Sequence, residues 1–229
     1  FAALLAAEGV VDGTLAGSLS TTGDVIRAAL RGIGLAPGVS VLSSMFLMAF
    51  PKIAEVREHE VVLAFADGAV LPDPTAPQLA EIAVATAATY QTLTGAPARV
   101  AMLSFSTLGS ATSATTEKMI EATARARALA PQLAVDGELQ FDAAFVPAVA
   151  ARKAPMTSPV AGQATVFIFP NLDAGNIGYK IAERLGMGQA IGPIFLGLRV
   201  PMNDLSRGAG VSEIVSMIAV TAEQCAVPR

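Results

Sequence analysis

Short apolar runs alternate with helical stretches along most of this chain, and that alternation narrows the fold more than any other feature. Val39 to Met48, Glu60 to Ala66, Arg99 to Phe105, Thr165 to Phe169 and Ile191 to Leu198 read as strands, several of them apolar on both faces. Between and around them Gln78 to Leu93, a segment from Ser113 or Thr115 to about Ala130, and Asp173 to Leu185 read as helices. Strands apolar on both faces need cover on both faces, and intervening helices supply it. The pattern therefore predicts an α/β fold with a mostly parallel sheet. The chain has 229 residues and is 53% hydrophobic, enough for a large core.

The remaining segments fill in the order. Phe1 to Glu8 is helix-like, and Val25 to Ile33 is a helix with Asp24 as its expected N-cap. A charged loop around Arg57 precedes the second strand, and Ala134 to Gly137 is a short strand and turn. Phe141 to Lys153 is a helix that Pro147 should kink or split, because proline lacks the N–H that a helix interior needs. Ile214 to Thr221 is a last helix.

Composition excludes several functions. The net charge is −4 and the basic residues are scattered, which argues against a nucleic-acid partner. No apolar run reaches the length of a membrane span. No basic segment precedes an apolar one at the N-terminus, so a signal peptide is not expected. His59 is the single histidine and Cys225 the single cysteine, so neither an internal disulfide nor a zinc cluster is expected, and a cytoplasmic setting fits. The pairs Gly32/Gly34 and Gly186/Gly188 lack the third glycine of a dinucleotide fingerprint and read as helix C-caps.

In parallel sheets, ligands sit beyond the carboxyl ends of the strands. Three polar stretches fall there by this reading: Ser104 to Ser110, Asn171 to Asn176, and Asn203 to Gly210. In the last, a polar loop with Gly208 and Gly210 runs into a helix N-terminus, whose free N–H groups and positive dipole end suit an anion. Arg207 adds a forked cation, Ser206 a hydroxyl and Glu213 a possible base. Each also has a plain structural reading. Arg207 can pair with Asp204 or Glu213, Ser206 can cap its own turn, and Glu213 is an ordinary acid at a helix start.

Several stretches then fall into a known order. They are Asp12-Gly-Thr-Leu-Ala-Gly17 through Thr21-Thr22 and Arg27; Asp73-Pro-Thr-Ala76 with Gln78-Leu-Ala-Glu-Ile-Ala83; and Val100-Ala-Met-Leu-Ser-Phe-Ser-Thr107. Asp136-Gly-Glu-Leu-Gln-Phe-Asp-Ala-Ala144 follows, with Lys153-Ala-Pro155 and Ser158-Pro-Val-Ala-Gly162. Phe169-Pro-Asn-Leu-Asp-Ala-Gly-Asn-Ile-Gly-Tyr-Lys180 and Pro201-Met-Asn-Asp-Leu-Ser-Arg-Gly208 complete the set. Across nearly its whole length the chain resembles the phosphate acetyltransferase (phosphotransacetylase) family, whose chains begin upstream of Phe1.

The resemblance implies exchange of acetyl between coenzyme A and phosphate, acetyl-CoA plus phosphate giving CoA plus acetyl phosphate. Coenzyme A is then a substrate, and neither cofactor nor metal is implied. It also implies two αβα-sandwich domains of the isocitrate/isopropylmalate dehydrogenase-like type, a cleft between them, and a homodimer. Residues 1–37 and 197–229 would belong to the terminal domain and 38–196 to the central one. Ser206, Arg207 and Glu213 match the catalytic positions. Arg27, Arg184, Thr22 and Ser110 match or neighbour positions that bind phosphate or CoA. Asn176, Tyr179 and Lys180 belong to a motif without an assigned role. Glu213 departs from the family's aspartate, which takes the thiol proton; the extra methylene changes its reach by about 1.5 Å. The neighbouring readings are a phosphate butyryltransferase-like enzyme and a non-catalytic acetyl-CoA-sensing domain. The intact Asn203-Asp-Leu-Ser-Arg-Gly208 motif favours the acetyl enzyme over the first, and the intact Ser206-Arg207 pair favours it over the second.

Overall fold

In a computed structural model, the described residues are all except 52, 54–58, 155–156 and 227–229. The charged loop around Arg57 and Pro155 of the Lys153-Ala-Pro155 stretch lie outside them. The fold is mixed α/β. Helices α1 (Ala2–Ala7) and α2 (Thr22–Gly32) flank strand β1 (Thr14–Gly17). Strands β2 (Ser43–Phe50) and β3 (Val61–Ala66) follow, then helix α3 (Ala76–Thr94), β4 (Arg99–Leu103) and α4 (Ala114–Leu129). Next come β5 (Ala134–Leu139), α5 (Phe141–Phe145), α6 (Pro147–Lys153) and β6 (Val166–Ile168). Helix α7 (Leu172–Leu185), β7 (Gln189–Leu196), β8 (Met202–Leu205) and α8 (Val211–Ala226) complete the chain.

The main sheet has the order β5-β4-β6-β3-β2-β7. Strands β5, β4, β6 and β3 run parallel, whereas β2 runs against both β3 and β7. One core layer puts Met45, Val100, Met102 and Ile168 against Leu79, Ile82 and Met119 of α3 and α4. The other gathers Phe46, Phe50, Phe65, Phe145 and Phe167. Among the described residues, no helix is long and apolar enough to cross a membrane.

Local chemistry sets the helix ends. Gln78 Oε1 accepts the Thr75 N–H (2.9 Å) at the start of α3, and Gly95 closes that helix with φ 68°. Ser113 and Thr116 bond reciprocally at the start of α4, and Asn171 caps α7. Pro147 splits the expected helix into α5 and α6 and becomes the first residue of the second.

Four expectations need correction. The N-cap of α2 is Thr21, whose Oγ1 accepts the Asp24 N–H (3.2 Å), so the helix begins at Thr22 and Asp24 lies in its first turn. The strand expected from Val39 begins only at Ser43, because Pro37 and Gly38 (φ 79°) carry a turn ahead of it. The stretch Asn171 to Asn176 is a loop at Asn171 alone, since α7 starts at Leu172. Finally, Asn203 and Asp204 are not loop residues. They lie in the fully buried strand β8, which pairs in parallel with β1 to make a second, two-stranded sheet.

Candidate functional site

Strand β8 is held in place by a side chain that replaces a ladder. Strand β7 is the edge of the main sheet and has an unpaired side facing β8. Asn203 Oδ1 accepts the Phe195 N–H (2.8 Å), while its Nδ2 donates to Thr221 Oγ1 (2.9 Å) and Gln224 Oε1 (2.7 Å). One buried amide thus joins β7, β8 and α8 and satisfies an edge N–H. Gly17 lets β1 approach on the other side: its φ is 96°, and a Cβ there would stand 2.3 Å from Asp204 Oδ1.

Beyond this fixed strand lies a cavity of about 340 Å³. Asp204, Ser206 and Arg207 line it from β8 and the loop after it, and Ser20 and Thr22 from the start of α2. Asn176, Tyr179 and Lys180 of α7 close the opposite wall, over Phe46 and Pro193. The α7 wall is ordered by its own contacts. Asn176 Nδ2 donates to the Gly68 carbonyl (2.8 Å), and Lys180 Nζ donates to Asn176 Oδ1 (2.8 Å). Tyr179 stacks on Phe46, with centroids 4.0 Å apart. Burial raises the Tyr179 phenol above its ordinary value, and the Glu183 charge adds to this.

Thr22 Oγ1 donates to Asp204 Oδ2 (2.6 Å), bridging α2 and β8. Asp204 is fully buried, and its other oxygen, Oδ1, has no hydrogen-bond partner among the described residues. Burial lifts its carboxyl above the ordinary value, while the Thr22 hydroxyl and the nearby Leu205 amide act in the opposite direction. The cavity therefore combines two cations, the N-terminal end of α2, several hydroxyls and one buried carboxyl. That set has the chemistry to hold a small anion next to a group that can exchange a proton.

Residues 1–222 match the phosphate acetyl/butaryl transferase family. The chain belongs to that family. It is 50% identical over 224 residues to the phosphate acetyltransferase of Thermoanaerobacterium thermosaccharolyticum, covering 98% of this chain and 67% of that one. The phosphate acetyltransferase of Bacillus subtilis is 47% identical, with 98% and 66% covered. The crystal structure of a phosphotransacetylase from Streptococcus pyogenes superposes with a TM-score of 0.90 at 49% identity, covering 97% of this chain and 65% of that chain. A branched-chain phosphotransacylase from Enterococcus faecalis shares the fold, with a TM-score of 0.74 at 22% identity over 97% of this chain and 76% of that one. The chain spans about two thirds of the length of the phosphate acetyltransferases of T. thermosaccharolyticum and B. subtilis.

Of the residues to which the resemblance to this family gives a role, the fold brings Ser206, Arg207 and Thr22 to the cavity, and with them Asn176, Tyr179 and Lys180 of the motif without one. Glu213, Arg27, Arg184 and Ser110 lie elsewhere. Glu213, in the first turn of α8, accepts the Gly210 N–H through Oε2 (2.6 Å) and thereby caps that helix. Arg27 pairs with Asp24 on the exposed face of α2. The Arg184 side chain is 84% exposed near the end of α7, with Nε 3.7 Å from Glu183 Oε2. Ser110 lies past β4, where its Oγ accepts the Thr107 N–H (3.0 Å) and meets Ser106 Oγ (3.2 Å). The Ser104 to Ser110 loop therefore does not converge with the other two polar stretches on this cavity. Sequence reasoning does not find Asp204 among the lining residues, because its segment reads as a loop rather than as a buried strand. Alternation within that strand is the signal: Asn203 and Asp204 point to opposite faces. Among the described residues, no group of three or more His, Cys, Asp or Glu side chains could hold a metal ion.

Proposed function

We propose that this chain carries the acyl-transfer site of a phosphate acetyltransferase, exchanging acetyl between coenzyme A and inorganic phosphate by direct transfer. The observation that carries the reading is the meeting of Ser206, Arg207 and Lys180 around one cavity of about 340 Å³ beside the start of α2. In this reading Arg207 and Lys180 hold the phosphoryl oxygens, and Arg207 also stabilises the charge that develops on the acetyl oxygen. Ser206 and Ser20 offer hydroxyls to the acyl group and the phosphate. The exposed Arg27 and Arg184 serve the outlying phosphates of coenzyme A, and Ser110 takes no part. Glu213 fixes the turn from Arg207 into α8 through the Gly210 amide. The reaction needs no metal and no cofactor beyond the substrate coenzyme A.

The architecture proposed with it has residues 1–37 and 197–229 as one body and 38–196 as the other, in the isocitrate/isopropylmalate dehydrogenase-like manner. Two observations support this division. Strands β1 and β8 pair across nearly the whole chain, and the cavity draws its walls from both groups of residues. The protein is proposed to work as a cytoplasmic homodimer. A single cysteine and the exposed apolar row Ile177, Ile181 and Leu185 on α7 support those two points.

The test is release of coenzyme A from acetyl-CoA on adding phosphate. Arg207→Ala should lower the rate by about 100-fold or more, while Glu213→Ala should lower it less. Binding of acetyl-CoA without phosphate-dependent release would refute the enzyme reading. Faster turnover with butyryl-CoA than with acetyl-CoA would refute the acetyl assignment alone.

A further inference from the structure

The acyl chain is the one wholly apolar part that an acyl-CoA and an acyl phosphate share, and its length is what distinguishes one acyl donor from another. The cations and hydroxyls of the cavity, Arg207, Lys180, Ser206, Ser20 and Thr22, suit phosphate and carbonyl oxygens. They offer nothing to a hydrocarbon chain. The apolar side chains in the lining are Phe46, Tyr179 and Pro193, with Ala69 and Leu205. An acyl chain that leaves water inside this cavity therefore rests on that floor.

The floor is rigid. Phe46 lies on β2 and is buried, and each edge of its ring meets a glycine. A Cβ on Gly68 would stand 2.8 Å from Phe46 Cε2, and a Cβ on Gly192 would stand 2.7 Å from Phe46 Cδ1. Carbon atoms do not approach so closely without overlap. The backbone of the loop after β3 and that of β7 therefore hold the ring along both edges. Tyr179 covers a face of the ring, with centroids 4.0 Å apart and planes 18° apart. Tyr179 is fixed in turn, because Asn176 Nδ2 donates to the Gly68 carbonyl (2.8 Å) and ties α7 to the same loop. A longer chain cannot make room by turning Phe46 aside, since both of its edges are already in contact.

We propose that the stacked rings of Phe46 and Tyr179 set the acyl-chain limit of this site, admitting acetyl and turning away butyryl. The inference rests on the acyl-transfer reading above and takes it further, to the choice of acyl donor. The pair makes and breaks no bond. Its part is to fix how far the chain can extend from the carbonyl carbon. Burial, and then the Glu183 charge, keep the Tyr179 phenol neutral, so the floor presents no charge to the chain. Butyryl carries two methylenes more than acetyl, and a single methylene in a closed apolar pocket discriminates by about 10–200-fold.

The experiment measures kcat/KM for phosphate-dependent release of coenzyme A from acetyl-CoA, propionyl-CoA and butyryl-CoA. It uses the unsubstituted protein and Tyr179→Ala, Tyr179→Phe and Phe46→Leu. The unsubstituted protein should favour acetyl-CoA over butyryl-CoA by about 100-fold or more, with propionyl-CoA between. Tyr179→Ala should cut that ratio by about 10-fold or more, through a higher value with butyryl-CoA. Tyr179→Phe, which keeps the ring, should keep the ratio. Phe46→Leu should cut it in the same sense, and it decides alone if Tyr179→Ala does not fold. A merely structural role for the pair would lower all three values together and leave the ratio unchanged. That result overturns the proposal, as does loss of the ratio in Tyr179→Phe or equal use of all three donors by the unsubstituted protein. The acyl-transfer reading survives each of these. Absence of phosphate-dependent release from all three donors by the unsubstituted protein overturns both.

Discussion

Replacing Asn203 by alanine isolates the joint that carries the site. The amide makes three hydrogen bonds, to the Phe195 N–H, Thr221 Oγ1 and Gln224 Oε1, and the residue is fully buried. Each such bond is worth about 1 kcal/mol net, and a buried N–H left without a partner costs about 1–3 kcal/mol more. Thr221 keeps its bond to the Met217 carbonyl, and half-exposed Gln224 can turn to water, so the Phe195 N–H is the group that is stranded. The sum is about 4–6 kcal/mol. For a chain of this size that lowers Tm by about 10 °C or more. Chemical denaturation followed by circular dichroism gives the free energy, and a thermal scan gives the midpoint. The rate of acetyl exchange should fall as well, because Ser206 and Arg207 directly follow β8. A loss below about 1 kcal/mol would refute the argument that this amide substitutes for a strand partner at the edge of β7.

Other perturbations follow from single contacts. Gly175→Ala would put a Cβ 2.0 Å from the Asp67 carbonyl oxygen, against backbone, and should cost about 3 kcal/mol with reduced soluble yield. Ser113→Ala removes the acceptor of the Thr116 N–H at the start of α4 and should cost about 1 kcal/mol in the same denaturation assay. Burial raises both Asp67 and Asp204 above the ordinary 3.8. Above that value the folded state holds protons that the unfolded chain has released. Their contribution is complete below 3.8 and is lost as pH rises through the raised values. Urea midpoints should therefore decline less steeply with rising pH in Asp204→Asn than in the unsubstituted protein. Asp24 has the opposite sign. The Thr21 hydroxyl first and Arg27 second hold its carboxyl low, so its support of α2 is present above 3.8 and is lost as pH falls. Amide exchange in the first turn of α2 should quicken in acid.

The elements legible from the sequence carry their own instructions. Helices α3, α4 and α7 are bounded by Thr75 with Gln78, Ser113 with Thr116, and Asn171, whose partners lie three residues away. The parallel strands β4 and β6 are apolar on both faces, and Pro147 divides α5 from α6 because its ring removes an N–H. The Ser206-Arg207 pair was legible too, as an anion site and as part of a family motif. Strand β8 was not, because Asn203 and Asp204 look like loop residues until their partners are known. Those partners are 8 to 21 residues away for Asn203 and 182 residues away for Asp204. The sequence likewise could not tell that Arg27 and Arg184 stand at the surface while Lys180 turns to the cavity. Local sequence therefore determined which segments become helices and strands, since caps, turns and hydrophobic period act over a few residues. Only the tertiary structure decided which polar groups are buried together, because a buried amide or carboxyl is tolerated only where distant segments supply its partners.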